Sequence, residues 1–226
     1  LPAERVHLSV YSPPFGGLVA AAPGSFGRLF TSPGPIFEPE PAHTDPWRGA
    51  RALFAGALGE FSVAVVGDDG GLEGQILVSG SFTDELINSE TFPTRLEYEL
   101  REVKVDNGTL TAVFRALQRA RVLLEASVPA LQQYSPTPAY RIGEAFALAG
   151  LTYGFAGENY CSGVPFSNAF PAITYGMPLT TAEAFTRAIE RFDSALVYLT
   201  ATDTATVSRL NLTRVEKGRA LLKSSG

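Results

Sequence analysis

Apolar and polar positions along most of this chain recur with the period of a helix rather than that of a strand. From Arg51 to Val66, Phe54, Leu58, Phe61 and Val65 follow one another at steps of four, three and four, one face of a helix. Asp45 is placed to cap it. Pro46 suits its first turn, where a missing N–H costs nothing. Asp68-Asp69-Gly70-Gly71 ends it. A second helix is predicted from about Thr109 to Ser127, with Leu110, Val113, Leu117, Ala120 and Leu124 as its buried stripe. Arg115, Gln118, Arg119 and Glu125 form much of its wet side. A third, about Ala139 to Glu158, follows Pro136 and Pro138 and is rich in small residues: Gly143, Ala145, Ala147, Ala149, Gly150 and Gly154. Glycine in a helix costs about 1 kcal/mol relative to alanine, and close approach by a neighbouring helix is the return expected for it. Thr180 or Thr181 caps a fourth helix, with Glu183 placed for a capping box. Phe185, Ala188, Phe192, Ala195 and Leu196 face one way along it. A fifth begins near Val207.

The segments between these helices read differently. Leu72 to Asp106 is weakly periodic and loop-like, with Ile76-Leu77-Val78 and Leu96 to Val105 as thin strand signals. Residues 159–180 are too rich in glycine and proline for a helix. The first 47 residues hold nine of the 16 prolines and both histidines. Proline removes backbone donors and fixes φ, so residues 1–44 read as an extended or disordered arm. The division expected is an arm over 1–47 and an all-α domain over 48–226. The Ala188, Phe192, Ala195 spacing is that of the second helix of a tetratricopeptide repeat, although such stripes also line generic helical cores. In the repeat reading the third and fourth helices form a pair with 159–180 inserted, and the fifth opens the next pair. The predicted fold is therefore all-α: tetratricopeptide-like helical pairs with long loops, preceded by a proline-rich irregular arm.

Composition narrows the chemistry. The 226 residues are 45% hydrophobic and carry 18 basic against 23 acidic side chains, a net −5 without long runs of one sign. A nucleic-acid partner is not expected, since such proteins carry a basic patch. One cysteine excludes an internal disulfide framework, and with two histidines it leaves too few soft ligands for a structural zinc site. No metal, cofactor or catalytic residue is expected. No stretch approaches the roughly 20 apolar residues of a membrane-spanning helix. Cys161 has no histidine between 44 and 226 to activate it, so it reads as a buried structural thiol. His7 and His43 have no partner cluster. Glu97 and Glu99 alternate on what reads as an extended segment and point together into solvent, where nothing raises a pKa as glycoside hydrolysis requires. Trp47 has two readings, a stacking platform or a staple for the first helix.

Several short segments, taken in order, carry a likeness. Ala50-Arg-Ala-Leu-Phe-Ala-Gly-Ala-Leu-Gly59 is followed by Phe82-Thr-Asp-Glu85 and Phe92-Pro-Thr-Arg95. Then come Tyr160-Cys-Ser-Gly-Val-Pro165, Gly176-Met-Pro-Leu-Thr180 and the stretch Ala184-Phe185 to Leu196. Their order and spacing resemble the SusD/RagB-like nutrient-binding lipoproteins of Gram-negative outer membranes, over roughly residues 48–223 and the N-terminal half of such a protein. The resemblance implies an all-α fold of tetratricopeptide-like pairs and a place on the outer face of the cell outer membrane. It implies a SusC-like TonB-dependent outer-membrane transporter as partner, and an oligosaccharide or peptide ligand that is captured without catalysis. Three features depart from the family: no lipobox cysteine near the start, a proline-rich arm in place of an Asn-Pro-Gly-like entry turn, and no C-terminal half. The expectation is therefore a chain truncated at its C-terminus, with its lipid anchor not encoded here. The sequons at Asn107 and Asn211 mean little in a bacterial protein.

Sugar recognition needs flat apolar faces to stack on pyranose rings, with planar hydrogen-bonding groups at the rim. The resemblance places a ligand-facing loop near 82–95, which offers Phe82, Asp84, Glu85, Asn88, Phe92 and Arg95. In the competing reading Phe82 and Phe92 plug the core, Asp84 caps a turn and Arg95 pairs a carboxylate. Three other functions stand beside nutrient binding: an intracellular tetratricopeptide-like scaffold for a protein partner, an enzyme such as a hydrolase, and an inactive fragment. The last predicts apolar exposure on the face of Leu210, Val215 and Leu221.

Overall fold

The computed structural model describes residues 45–68 and 70–224; the expected arm over 1–44, with His7 and His43, lies outside them. Seven helices follow in order: α1 Pro46–Val66, α2 Gln75–Phe82, α3 Pro93–Glu99, α4 Gly108–Tyr134, α5 Tyr140–Asn159, α6 Thr181–Tyr198 and α7 Thr204–Ser224. Two two-residue strands, β1 Val164–Pro165 and β2 Pro178–Leu179, pair antiparallel inside the connection between α5 and α6. The fold is all-α.

Local chemistry sets the helix ends. Asn107 accepts the Leu110 N–H at 2.9 Å at the start of α4. At α6 the capping box forms in full, the Thr180 N–H donating to Glu183 at 2.7 Å and the Glu183 N–H returning to the Thr180 hydroxyl. The Thr180 N–H and hydroxyl, both donating to the Glu183 carboxylate, hold it below its ordinary pKa. Ahead of α7, Asp203 accepts the Thr206 N–H at 3.0 Å and its hydroxyl at 2.6 Å. At the end of α1, Gly67 takes φ +86°, and a Cβ there would lie 2.4 Å from the Leu72 carbonyl oxygen.

The long helices stack in series as antiparallel neighbours. Along α1 and α4, Phe54 packs near Val128 and Leu131, Ala57 clusters with Leu124, and Ala64 clusters with Ala116 and Ala120. This order runs in opposite directions along the two helices. Helix α5 then lies antiparallel to α4, with Ile142 and Ala145 beside Leu131 at one end and Tyr160 against Phe114 at the other. Helix α6 covers α5 through a heptad fit. Gly143, Gly150 and Gly157 stand one every seven residues, facing Leu199, Phe192 and Phe185 in turn. A Cβ at Gly150 would meet the Phe192 ring at 2.7 Å, so the knobs sit where side chains on α5 would otherwise be. Each such buried knob contributes roughly 1.5–3 kcal/mol of burial. Finally α7 packs on α6 and runs alongside α5, tied by Glu144–Arg209 at 2.7 Å and Glu158–Arg219 at 2.5 Å. The pairs are thus α1 with α4 and α5 with α6, and α7 begins a third layer.

Two expectations about helix extent need correction. The segment 72–106 holds α2 and α3 rather than strand-like pieces: Val78 and Tyr98 bury themselves against Val113 of α4, which anchors helices too short to show a clear period. Glu97 and Glu99 are accordingly helical. Helix α4 continues to Tyr134, past Ser127 and through Pro129. Proline gives up one helical hydrogen bond, but Val128 and Leu131 on either side are buried in the core with Phe54 and Ile142. Trp47, for which two readings stand, is 39% exposed, with the Arg48 and Arg51 guanidiniums each 5.3 Å from its ring centre.

The two outer layers differ in chemistry. Helix α1 alone among the described residues is long and apolar enough to cross a membrane by length and composition, with mean hydropathy 1.4. That departs from the sequence expectation, although its face carrying Phe54, Ala57 and Ala64 is packed against α4. On α7, Val215 and Leu221 are exposed as anticipated, whereas Leu210 packs on Ala195 and Leu199.

Candidate functional site

Because α1, α4, α5 and α6 alternate in direction, the two long connections leave the stack at the same end. The first, residues 67–107, joins α1 to α4; the second, 160–180, joins α5 to α6. They meet through a hydrogen bond from the Tyr160 hydroxyl to the Gln75 side-chain oxygen Oε1 at 3.0 Å. Burial pushes that phenol up to about 12.

The first insertion carries the residues the sequence singled out, and the structure divides them. Phe82 turns inward against Tyr98, ring centres 6.1 Å apart, within the Val78, Tyr98 and Val113 cluster. Asp84, at φ +61°, pairs with Arg101, and Glu85 is exposed, its N–H donating to the Gly80 carbonyl at 2.9 Å. The other three sit together. Phe92 is 61% exposed at the start of α3, and the Arg95 guanidinium lies 4.9 Å from its ring centre. Arg95 is held by Glu73 at 2.5 Å and by Glu90, whose hydrogen bond raises its pKa. Asn88 donates its backbone N–H to Glu99 and accepts the Glu90 N–H at 2.9 Å, while its buried Nδ2 has no hydrogen-bond partner. Phe92 and Arg95 therefore present an exposed aromatic ring beside a planar cation that two carboxylates hold, while the Asn88 amide nitrogen is turned inward. An exposed ring of this kind can stack on a flat apolar face of a ligand. Glu97 faces away from any acid role: the Asn107 amide donates to it at 2.8 Å and holds its pKa below the ordinary range.

The second insertion is fixed by a buried cation that the sequence reading passed over. Arg121 of α4 is 1% exposed. Its Nε donates to Gln118 at 3.1 Å, and its Nη1 donates to Glu125 at 3.0 Å and to the Asn168 side-chain oxygen at 3.2 Å. Its Nη2 donates to the Ser167 carbonyl. The guanidinium also lies 5.6 Å from the Tyr153 ring centre and 5.5 Å from that of Phe166. Glu125 is shared: Arg191 of α6 donates to it at 3.0 Å and the Tyr153 hydroxyl at 2.9 Å. One carboxylate thus faces two guanidiniums, and the surplus positive charge is met by neutral carbonyl oxygens and aromatic faces. Burial, then the Glu125 charge, raises the Tyr153 pKa; burial works against the Arg191 charge, but Glu125 outweighs it and raises that pKa too. The network joins α4, α5, α6 and the insertion. The signal was present in the sequence, for Arg121 stands between Leu117 and Leu124 on the apolar stripe of its helix.

Cys161 is exposed, which corrects the expectation of a buried thiol; it sits in the insertion just beyond the packed end of α5. Among the described residues no three His, Cys, Asp or Glu side chains gather as a metal would require. A dimple between α5, α6 and α7, lined by Phe155, Phe192 and Arg219, has room for about one water. No protein-family model, curated protein or solved structure matches this chain.

Proposed function

We propose that this chain is a non-catalytic nutrient-binding module of the SusD/RagB-like kind. In this reading it sits on the outer face of the outer membrane and captures an oligosaccharide or peptide. It then passes that ligand to a SusC-type TonB-dependent transporter. The observation that carries the reading is the arrangement of two antiparallel helix pairs whose insertions emerge together, with exposed Phe92 stacked under Arg95 on one of them. A rigid helical frame holding ligand-facing loops suits capture and release. The ordered motifs from Ala50 to Leu196 support the same family. Co-purification of the full chain with a SusC-type transporter from the same cell tests the proposal. A stable complex is the expected result, and a folded chain that neither binds the transporter nor is retarded on any polysaccharide or peptide column refutes it.

The open apolar face of α7, with Val215 and Leu221 exposed, favours a second reading, a tetratricopeptide-like scaffold for a protein partner. Fractionation separates the two, since such a scaffold stays with the cytosol.

A further inference from the structure

The insertion between α5 and α6 lies in the longest stretch of this chain without Asp, Glu, Lys or Arg. From 159 to 182 there is no Asp, Glu, Lys or Arg, and Glu158 and Glu183 close the stretch on either side. Within it Ile173 is 71% exposed, Tyr175 89% and Met177 80%. Apolar side chains so exposed belong, by ordinary folding physics, to an unbuilt loop. This loop is built. Asn168 and Thr174 exchange backbone hydrogen bonds at 2.9 Å in both directions, and the Gly176 N–H donates to the Ser167 hydroxyl at 3.2 Å. A Cβ at Gly176 would fall 2.2 Å from the Phe166 carbonyl oxygen, so only glycine closes the turn. Its base is clamped by Arg121 through Ser167 and Asn168.

We infer that this insertion is a docking finger whose tip, Ile173, Tyr175 and Met177, seats in an uncharged apolar recess of a partner protein. The chemistry selects that occupant. Small ligands are held in hollows, and these three side chains stand out into solvent instead. A membrane surface is drawn by basic residues beside the apolar tip, and here residues 159–182 hold none and the charges that flank them in sequence, Glu158 and Glu183, are acidic. Tyrosine and methionine are enriched at the desolvated centres of protein interfaces. A tip already ordered in the free chain also escapes much of the entropy that binding otherwise costs.

The inference rests on the proposed function, in which the partner is the SusC-type transporter. The test compares the full chain with a triple variant, Ile173→Ser, Tyr175→Ser and Met177→Ser, for affinity to the purified transporter. Val197→Ser, at an exposed site on α6, serves as control. The triple variant is expected to keep its helical spectrum and bind roughly tenfold or more weakly, with the control unchanged. Equal affinity of the triple variant and the parent overturns the finger while leaving the transporter reading intact. Absence of binding by the parent overturns both. Loss in the triple variant of binding to phosphatidylcholine vesicles, or of self-association, with transporter affinity unchanged assigns the tip to a membrane or a second copy and likewise overturns the inference.

Discussion

Replacing Arg121 with alanine probes the joint between the helix stack and its second insertion. The substitution removes four donated hydrogen bonds, to Gln118, Glu125, Asn168 and Ser167, and the contacts with two aromatic rings. Breaking a buried ion pair from one side ordinarily costs about 3–5 kcal/mol, because the remaining charge is left without a partner. Here Glu125 keeps Arg191 and the Tyr153 hydroxyl, so the loss falls at the lower end, about 3 kcal/mol. Glu125→Gln should cost at least as much, since it leaves two guanidiniums facing each other with no carboxylate between them. Chemical denaturation gives the global loss, and limited proteolysis gives the local one as new cleavage within 160–180. A loss for Arg121→Ala below about 1 kcal/mol, with the insertion still protected, would show that the loop stands without its clamp.

Three further predictions concern packing, caps and pH. Gly150→Ala drives a methyl into the Phe192 ring and should destabilise by about 1–3 kcal/mol. Gly154→Ala, on the same helix with open space around it, should gain up to about 1 kcal/mol; paired melts of the two variants check the sign. Thr180→Ala removes one half of the α6 capping box and should cost about 1 kcal/mol, read as faster amide exchange in the first turn of α6. Burial raises the Tyr98 and Tyr160 phenols to about 12, so the stability they confer is complete below pH 10 and is lost as pH rises from 10 through 12. Tyr160→Phe should flatten that part of the alkaline unfolding profile; an unchanged profile would contradict the assigned burial.

The long helices were legible because their apolar stripes persist over several turns and their ends carry explicit chemistry, Asn107 and Thr180 above all. Pairing α5 with α6 was legible from small residues, although the sevenfold match of Gly143, Gly150 and Gly157 to Leu199, Phe192 and Phe185 emerges only when both helices are seen together. The short helices α2 and α3 were hidden, since each has a single buried apolar side chain, Val78 or Tyr98, meeting Val113 from a distant part of the chain. The end of α4 was missed because proline is locally a stop signal and tertiary burial of Val128 and Leu131 overrides it. Of the residues chosen at 82–95, local sequence could not tell which aromatic turns inward. Phe82 does, because it closes α2 beside Val78 and Tyr98, and Phe92 does not, because it precedes the first turn of α3, well before the buried Tyr98. Arg121 was overlooked since a charged residue reads as a wet face, and its partners Asn168 and Ser167 lie more than 40 residues away.

Capture without chemistry is the core of the account, and titration calorimetry on a panel of oligosaccharides and peptides, with the solute recovered afterwards by chromatography, confronts it directly. Saturable heat from at least one compound, weakened by Phe92→Ala and followed by recovery of that compound unaltered, is the predicted result. Fragments of the compound in the recovered material, or no heat from any member of the panel, would contradict it.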